Sequence, residues 1–243
     1  MEIITSLFEK ALKLESPWQV KRVEFIENKK TLTIFIDFPK GSLFSCPKCG
    51  KSSKAYDTTE KRWRHLNFFQ YECCLVVRVP RIECKEDGIL QVEVPWARSG
   101  ADFTLVFESF AMTLCKEMPI NAVSRIVSED DNKLWRMVRY YVEEARRFED
   151  YSRVSSIGVD ETSAKKGHDY VTLVVDLKKK KTIFVTKGKD ASTLKEFKED
   201  LIAHHGLPEN ITNASIDMSP AKYLRVLRTV FPKQRSPLTN SIS

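Results

Sequence analysis

With 243 residues, 42% of them hydrophobic and 30% charged, the chain is sized for one large domain or two to three small ones and is too apolar to stay disordered. Eight Gly and ten Pro exclude collagen-like and low-complexity classes. No apolar run approaches the roughly 18 residues of a membrane helix. No basic start leads into an apolar block, so no secretory signal is expected and a cytoplasmic location is.

Forty basic against 33 acidic residues leave a net charge of +7, a mild lean toward a polyanionic partner. Residues 1–100 carry +4, 101–153 carry −2 and 154–243 carry +5. The excess sits at the two ends.

The first block, 1–94, predicts a β-rich domain. A short amphipathic helix around Leu7, Phe8, Ala11 and Leu12 opens it. Strands over Trp18–Ile26 and Thr31–Phe38 flank a turn at Glu27–Lys30; in the second, Leu32, Ile34, Ile36 and Phe38 alternate with Thr33, Phe35 and Asp37, the period of a strand. A basic stretch, Lys61-Arg62-Trp63-Arg64-His65, precedes a β-rich run over Tyr71–Pro80. Arg62 and Arg64 read either as a phosphate-contacting patch or as the solvated neighbours of a packed Trp63.

Five of the six cysteines lie between Cys46 and Cys84, and without an expected export signal they read as thiols or metal ligands. Cys46-x-x-Cys49-Gly50 is a metal half-site, in which two thiolates grip one tetrahedral Zn²⁺ and Gly lets the knuckle close. The matching half-site is Cys84-x-x-Asp87-Gly88, where the fourth ligand is a carboxylate; such a Cys₃Asp site should bind more weakly and with more pH sensitivity. Cys73, Cys74 and His65 are alternative ligands. A ribbon whose cysteines are only small buried side chains is the other reading.

After the junction Pro95–Gly100, residues 101–150 predict three helices. Phe103, Phe107, Phe110 and Leu114 mark the first. Pro119 is expected at the first position of the second, which carries Ile120, Val123, Ile126 and Val127. Ser128 is expected to cap the third, with Asp131 completing a weak capping box, and Leu134, Val138, Tyr141 and Ala145 form its inward stripe. A tight turn between the last two helices fits a helix-turn-helix. Lys133, Arg136 and Tyr140, flanked by Asn132 and Arg139, would then face a major groove. The competing reading is a solvated face, since Glu129, Asp130 and Asp131 would repel phosphates.

The third block, 154–233, predicts the order β-β-β-α-β-α: strands at Val154–Asp160, Tyr170–Asp176 and Thr182–Thr186, a helix at Ala191–His205 capped by Asp190, a strand at Ile211–Asp217 and a helix at Pro220–Phe231. Asp160 and Asp217 are expected at the C-terminal ends of adjacent strands, where two carboxylates can share divalent cations that clamp the oxygens of a phosphoryl displacement. That arrangement is ribonuclease H-like. The expected fold class is multidomain α+β: an N-terminal zinc-ribbon-like β domain, a helix-turn-helix, and a partial ribonuclease H-like α/β domain.

Cys46-Pro-Lys-Cys-Gly, Trp63-Arg-His-Leu66, Val94-Pro-Trp-Ala-Arg98, Gly158-Val-Asp-Glu161 and Ser215-Ile-Asp-Met-Ser-Pro220, in this order, resemble the bacterial insertion-sequence transposases of the ISL-three group. The resemblance implies DNA cleavage and strand transfer of the DDE type, with Mg²⁺ on Asp160 and Asp217 as the first two acidic positions, and structural Zn²⁺ on Cys46, Cys49 and Cys84. It implies double-stranded terminal inverted repeats as partner, with a homo-oligomer left open and no membrane. Two departures stand out. Asp87 occupies a position where the family pattern has Cys or His. No Glu follows Glu209, so the family's third acidic residue has no counterpart, and 234–243 reads as an aberrant tail. The resemblance therefore points to a C-terminally truncated transposase, inactive alone, or to a DNA-binding fragment that regulates a full-length relative.

Overall fold

Thr31–Asp37 is built of β-branched and aromatic residues at period two, so one face is apolar throughout and must be covered. In the computed structural model, which describes residues 2–163, 170–188, 190, 192–216 and 229–233, it is a central strand of a six-stranded sheet. The chain forms two units, Met1–Tyr141 and Val142–Ser243.

In the first unit, helix α1 (Glu2–Ala11) buries Phe8 with its ring 5.3 Å from that of Phe68. Strands β1 (Gln19–Ile26) and β2 (Thr31–Asp37) pair antiparallel around a one-turn 3₁₀ helix. Then follow β3 (Leu43–Ser45), β4 (Ser52–Arg64), β5 (Glu72–Cys84) and β6 (Gly88–Gln91). The strand order is β1-β2-β5-β4-β3, with β6 also on β5. Strand β5 runs parallel to β2 and antiparallel to β4 and β6.

The long β4 was not anticipated, and β5 continues four residues past Pro80. Pro80 is tolerated because of where it falls. Along one edge of β5, pairing with β2 ends at Ile36–Val77 and pairing with β6 begins at Gln91–Arg81. The Pro80 carbonyl on that edge accepts from Val92 N at 3.0 Å, so the missing N–H falls in the gap between two ladders. Leu32, Ile34, Ile36, Leu75, Val77, Val79 and Trp63 fill one face of the sheet, closed by Trp18 and Trp96 with rings 5.0 Å apart.

Helices α2 (Leu105–Glu117), α3 (Ile120–Val127) and α4 (Asp131–Arg147) follow. Thr104 caps α2, its side chain accepting from Phe107 N. Pro119 sits at the N-cap of α3, one position earlier than expected. Ser128 does not cap α4. It ends α3 in the left-handed conformation, φ 55°, and the cap of α4 is Asp130, whose Oδ1 accepts from Asn132 N at 3.0 Å and Lys133 N at 3.2 Å. A carboxylate at a helix N-terminus also meets the favourable end of the macrodipole. Phe103, Phe107, Ala111, Val123, Val127, Leu134 and Met137 form the three-helix core. Ala145, expected on the inward stripe of α4, is exposed, and Met137, not expected there, is buried.

The second unit holds β7 (Ser156–Ser163), β8 (Tyr170–Asp176), β9 (Lys181–Lys187), α5 (Ser192–Ala203) and β10 (Asn213–Ile216). The sheet order is β10-β7-β8-β9; β7, β8 and β9 form an antiparallel meander, and β10 lies parallel to β7. Asp190 caps α5 through Ser192 N at 2.8 Å. Gly206 closes tightly over the end of this helix, where a Cβ would lie 2.5 Å from Leu201 Cδ1 and 2.9 Å from its carbonyl oxygen. The core comprises Ile157, Val159, Val174, Leu194, Phe197, Leu201, Ile211 and Phe231, among others. A bulge opposite Val174 and Val175 turns the Ile183 carbonyl outward, where Arg146 Nη1 and the Tyr151 hydroxyl both donate to it at 3.0 Å. The helix expected over Pro220–Phe231 lies outside the described residues up to 228, as does the tail 234–243.

Candidate functional site

Antiparallel pairing of β4 with β5 places Ala55 opposite Ile82, and so brings the β3–β4 turn beside the β5–β6 turn. Each turn closes on a left-handed glycine, Gly50 at φ 73° and Gly88 at φ 76°, a conformation that costs glycine nothing. Cys46 and Cys49 sit on the first turn, Cys84 and Asp87 on the second. One ligand atom from each of the four lies within 4.8 Å of every other. Cys46 Sγ is 3.4 Å from Asp87 Oδ2, Cys49 Sγ is 3.5 Å from Cys84 Sγ, and Cys84 Sγ is 3.5 Å from Asp87 Oδ2. Zinc–thiolate bonds of about 2.3 Å in a tetrahedron imply ligand separations of about 3.7 Å, so the donor set and its spacing fit zinc.

Backbone and side-chain neighbours together set the protonation of Cys49, Cys84 and Asp87. The N–H groups of Glu86 and Asp87 hold the Cys84 thiol below its ordinary value. The Lys51 N–H pulls Cys49 the same way, but desolvation and hydrogen bonds with Cys84, Cys46 and Asp87 outweigh it and push that thiol up to about 12. Desolvation acts to raise Asp87, yet hydrogen bonds from the three thiols and the charge of Lys48 leave it lowered. The alternative ligands are elsewhere. Cys73 is in the sheet core with its thiol pushed up to about 12 by burial, Cys74 is buried in β5, and His65 Nδ1 bonds Thr104 Oγ1 at 2.8 Å.

The basic stretch of β4 divides by what covers each side chain. Arg62 is exposed. Arg64 is not available to phosphates, because it points inward and is 6% exposed. Its guanidinium donates to the carbonyls of His65, of Cys73 at 3.1 Å and of Val127 at 3.4 Å, and pairs with Glu129 at 3.3 Å. It therefore satisfies the C-terminal end of α3 and fastens the following turn to the sheet. Trp63 is a packed side chain, 6.1 Å from Trp96.

On α4, Asn132, Arg136 and Arg139 are exposed and Lys133 is half-buried. Lys133 Nζ pairs with Glu129 at 3.2 Å and Arg136 with Asp102 at 2.7 Å. Tyr140 is taken by Arg98, whose guanidinium lies 4.0 Å above its ring. Sequence reasoning missed Glu108, which is fully buried. Its carboxylate meets Arg98 Nη2 at 2.9 Å and the Tyr141 hydroxyl at 2.7 Å, locking α4 to α2 and to the Pro95–Arg98 segment. Desolvation and this carboxylate push the Tyr141 hydroxyl up to about 12. The available signal was a Glu adjoining Phe107 on the apolar stripe of α2.

Asp160 is exposed on β7. The strand does not end there as expected: it runs to Ser163, because β8 pairs with it from Ile157–Asp176 to Ser163–Tyr170. The described pairing with β10 ends one residue earlier, at Ile216 opposite Val159. Asp217 lies outside the described residues.

Three family models match the chain in succession. Residues 42–87 match the zinc-finger of transposase IS204/IS1001/IS1096/IS1165, residues 92–142 the helix-turn-helix domain of transposase family ISL3, and residues 157–236 a transposase model of the same family. The chain belongs to the ISL3 transposase family. It is 30% identical over 182 residues to the transposase for insertion sequence element IS1557 of Mycobacterium tuberculosis, and 27% identical over 215 residues to that for IS1001 of Bordetella parapertussis. These alignments cover 71% and 86% of this ISL3 chain but 39% and 52% of the relatives. The zinc-finger match closes on Asp87, the fourth member of the cluster, and the helix-turn-helix match takes in Arg98, Glu108 and Tyr141. No described helix is long and apolar enough to cross a membrane.

Proposed function

We propose that this chain binds the terminal inverted repeats of an insertion sequence through α4 and carries the first two carboxylates of a DDE-type, ribonuclease H-like centre for DNA cleavage and strand transfer. The observation that carries the reading is the register of β10 on β7. Ile216 lies opposite Val159 in parallel pairing, and in the sequence the residue that follows each is an aspartate, Asp217 and Asp160. An antiparallel meander with a fourth strand parallel to its first supports the ribonuclease H-like assignment. Asp160 and Asp217 would hold Mg²⁺, a hard cation suited to carboxylate oxygens; when bound it would stabilise charge on the attacking and leaving oxygens of a phosphodiester. Cys46, Cys49, Cys84 and Asp87 would hold structural Zn²⁺, and Asn132, Arg136, Arg139 and Arg62 would face DNA.

A second reading concerns activity. Asp217 is the last acidic residue of the sequence, and a three-carboxylate centre needs one more. We therefore propose that these 243 residues by themselves bind element ends without cutting them, which would let them compete with a full-length relative. Labelled duplexes carrying the inverted repeats that flank the gene, incubated with the purified chain and Mg²⁺, test both readings. Selective binding over a scrambled duplex, weakened by about 1–3 kcal/mol in Arg139→Ala, is expected, with no nicked product. Equal affinity for both duplexes would overturn end recognition, and cleavage abolished by Asp160→Asn would overturn the binding-only reading.

A further inference from the structure

Strands β8 and β9 are joined by a turn that carries four consecutive lysines, Lys178 to Lys181, all exposed. The turn is held firmly. Asp176, 2% exposed, accepts Lys178 N at 2.9 Å and Lys179 N at 3.3 Å through Oδ1, and Leu177 N donates to Ser156 O at 3.0 Å. Lys180 takes the left-handed conformation at φ 52°, where Asn or Gly would be the unstrained choice. Among the described residues, Lys181 is the one member of the four in an ion pair, with Glu149. Among the described residues the other three ammonium groups have no ion-pair partner, and the one carboxylate at the turn, Asp176, is buried and occupied by backbone N–H groups, an arrangement that is repulsive at the surface until an anion with closely spaced charges meets it.

We propose that this lysine turn is a phosphate-contacting surface for duplex DNA, separate from the helix-turn-helix; the inference rests on the DNA-binding reading above. Duplex DNA presents one charge per about 1.7 Å of axis, a density that adjacent lysines can match and that a single phosphorylated side chain cannot. The location suits a flanking contact. Asp160 stands opposite Leu173 on β8, and the strand ends three residues further along at Asp176, roughly 10 Å away at strand rise, with Lys178 in the turn just beyond it. That keeps the turn within one turn of B-DNA from Asp160. The turn would thus grip DNA beside the reacting phosphodiester and contribute no sequence preference.

The test is salt-dependent binding of the full chain to a mixed-sequence duplex of about 30 base pairs, followed by fluorescence anisotropy from about 50 to 200 mM KCl. A Lys178→Gln, Lys179→Gln, Lys180→Gln variant is expected to reduce the slope of log K against log salt by roughly 2 to 3, at about 0.9 per phosphate contact. A Lys195→Gln, Lys198→Gln variant on α5 is expected to leave the slope unchanged, which separates local contact from net charge. Unchanged slope in the triple variant, with the parent chain binding normally, would overturn the lysine-turn contact alone. A folded parent chain that does not bind the duplex at any of these salt concentrations would overturn the DNA-binding reading and this inference with it.

Discussion

Arg64 and Glu129 form a buried ion pair, 3.3 Å apart, between the end of β4 and the turn that joins α3 to α4. The six-stranded sheet and the three helices are thereby fastened by charge at a point that also satisfies the Val127 carbonyl. Removing one partner strands the other in a dry site. Arg64→Ala is expected to cost about 3–5 kcal/mol, while Arg62→Ala, two residues away and exposed, should stay within about 0.5 kcal/mol. Urea unfolding of the two variants measures both.

The Arg98–Glu108–Tyr141 network makes a different forecast. Tyr141→Phe should cost about 1–2 kcal/mol, because Glu108 then lacks one donor. Glu108→Ala should cost more, and the double variant Arg98→Ala, Glu108→Ala should cost clearly less than the sum of its parts. A strictly additive thermodynamic cycle would show that the groups do not act as a unit.

His65 gives a pH signature. Burial first, and the charge of Arg64 second, hold its imidazole down at about 4, against 6.5 in the open chain. The folded state thus keeps His65 neutral while the unfolded state takes up a proton first. Stability from this residue is complete above pH 6.5 and declines as pH falls from 6.5 toward 4, by about 3 kcal/mol at most. Denaturation midpoints measured at pH 7.5 and pH 5 should differ more for the parent chain than for His65→Asn.

At the metal cluster, Asp87 supplies oxygen where sulfur would bind zinc more firmly. Asp87→Cys is expected to tighten zinc by about tenfold or more, and Cys84→Ser to weaken it severely. Competition with a chromophoric chelator reads both. A Cys substitution that left affinity unchanged would show that position 87 does not reach the ion.

Legibility in the sequence tracked how local the deciding force was. β2, with its strict alternation, and the Cys-x-x-Cys knuckle could be read directly, since pattern and chemistry lie within a few residues. Strand β4 could not. Its residues Ser52–Arg64 are largely polar because one face meets solvent, and only the 13-residue partner β5 makes them a strand. Arg62 and Arg64 share a face of β4, and what separates them is cover: Arg64, at the strand end, lies under the turn between α3 and α4 while Arg62 stays exposed, so neighbours in one basic run have opposite roles. Ser128 was misread because Ser and Asp both cap helices, and Asp130 is the one whose oxygen reaches two N–H groups. Asp160 was placed at a strand end because the apolar pattern stops there, whereas hydrogen bonding with β8 carries the strand on.

The outward carbonyl of Ile183, covered by Arg146 and Tyr151, has a consequence for how the molecule behaves in a crowded solution. A sheet rim with its acceptors free invites a neighbouring chain to add a strand. Here the bulge throws the ladder out of step and two donors occupy the acceptor, so lateral growth along β9 is blocked midway, and stacking into fibres along that rim is disfavoured.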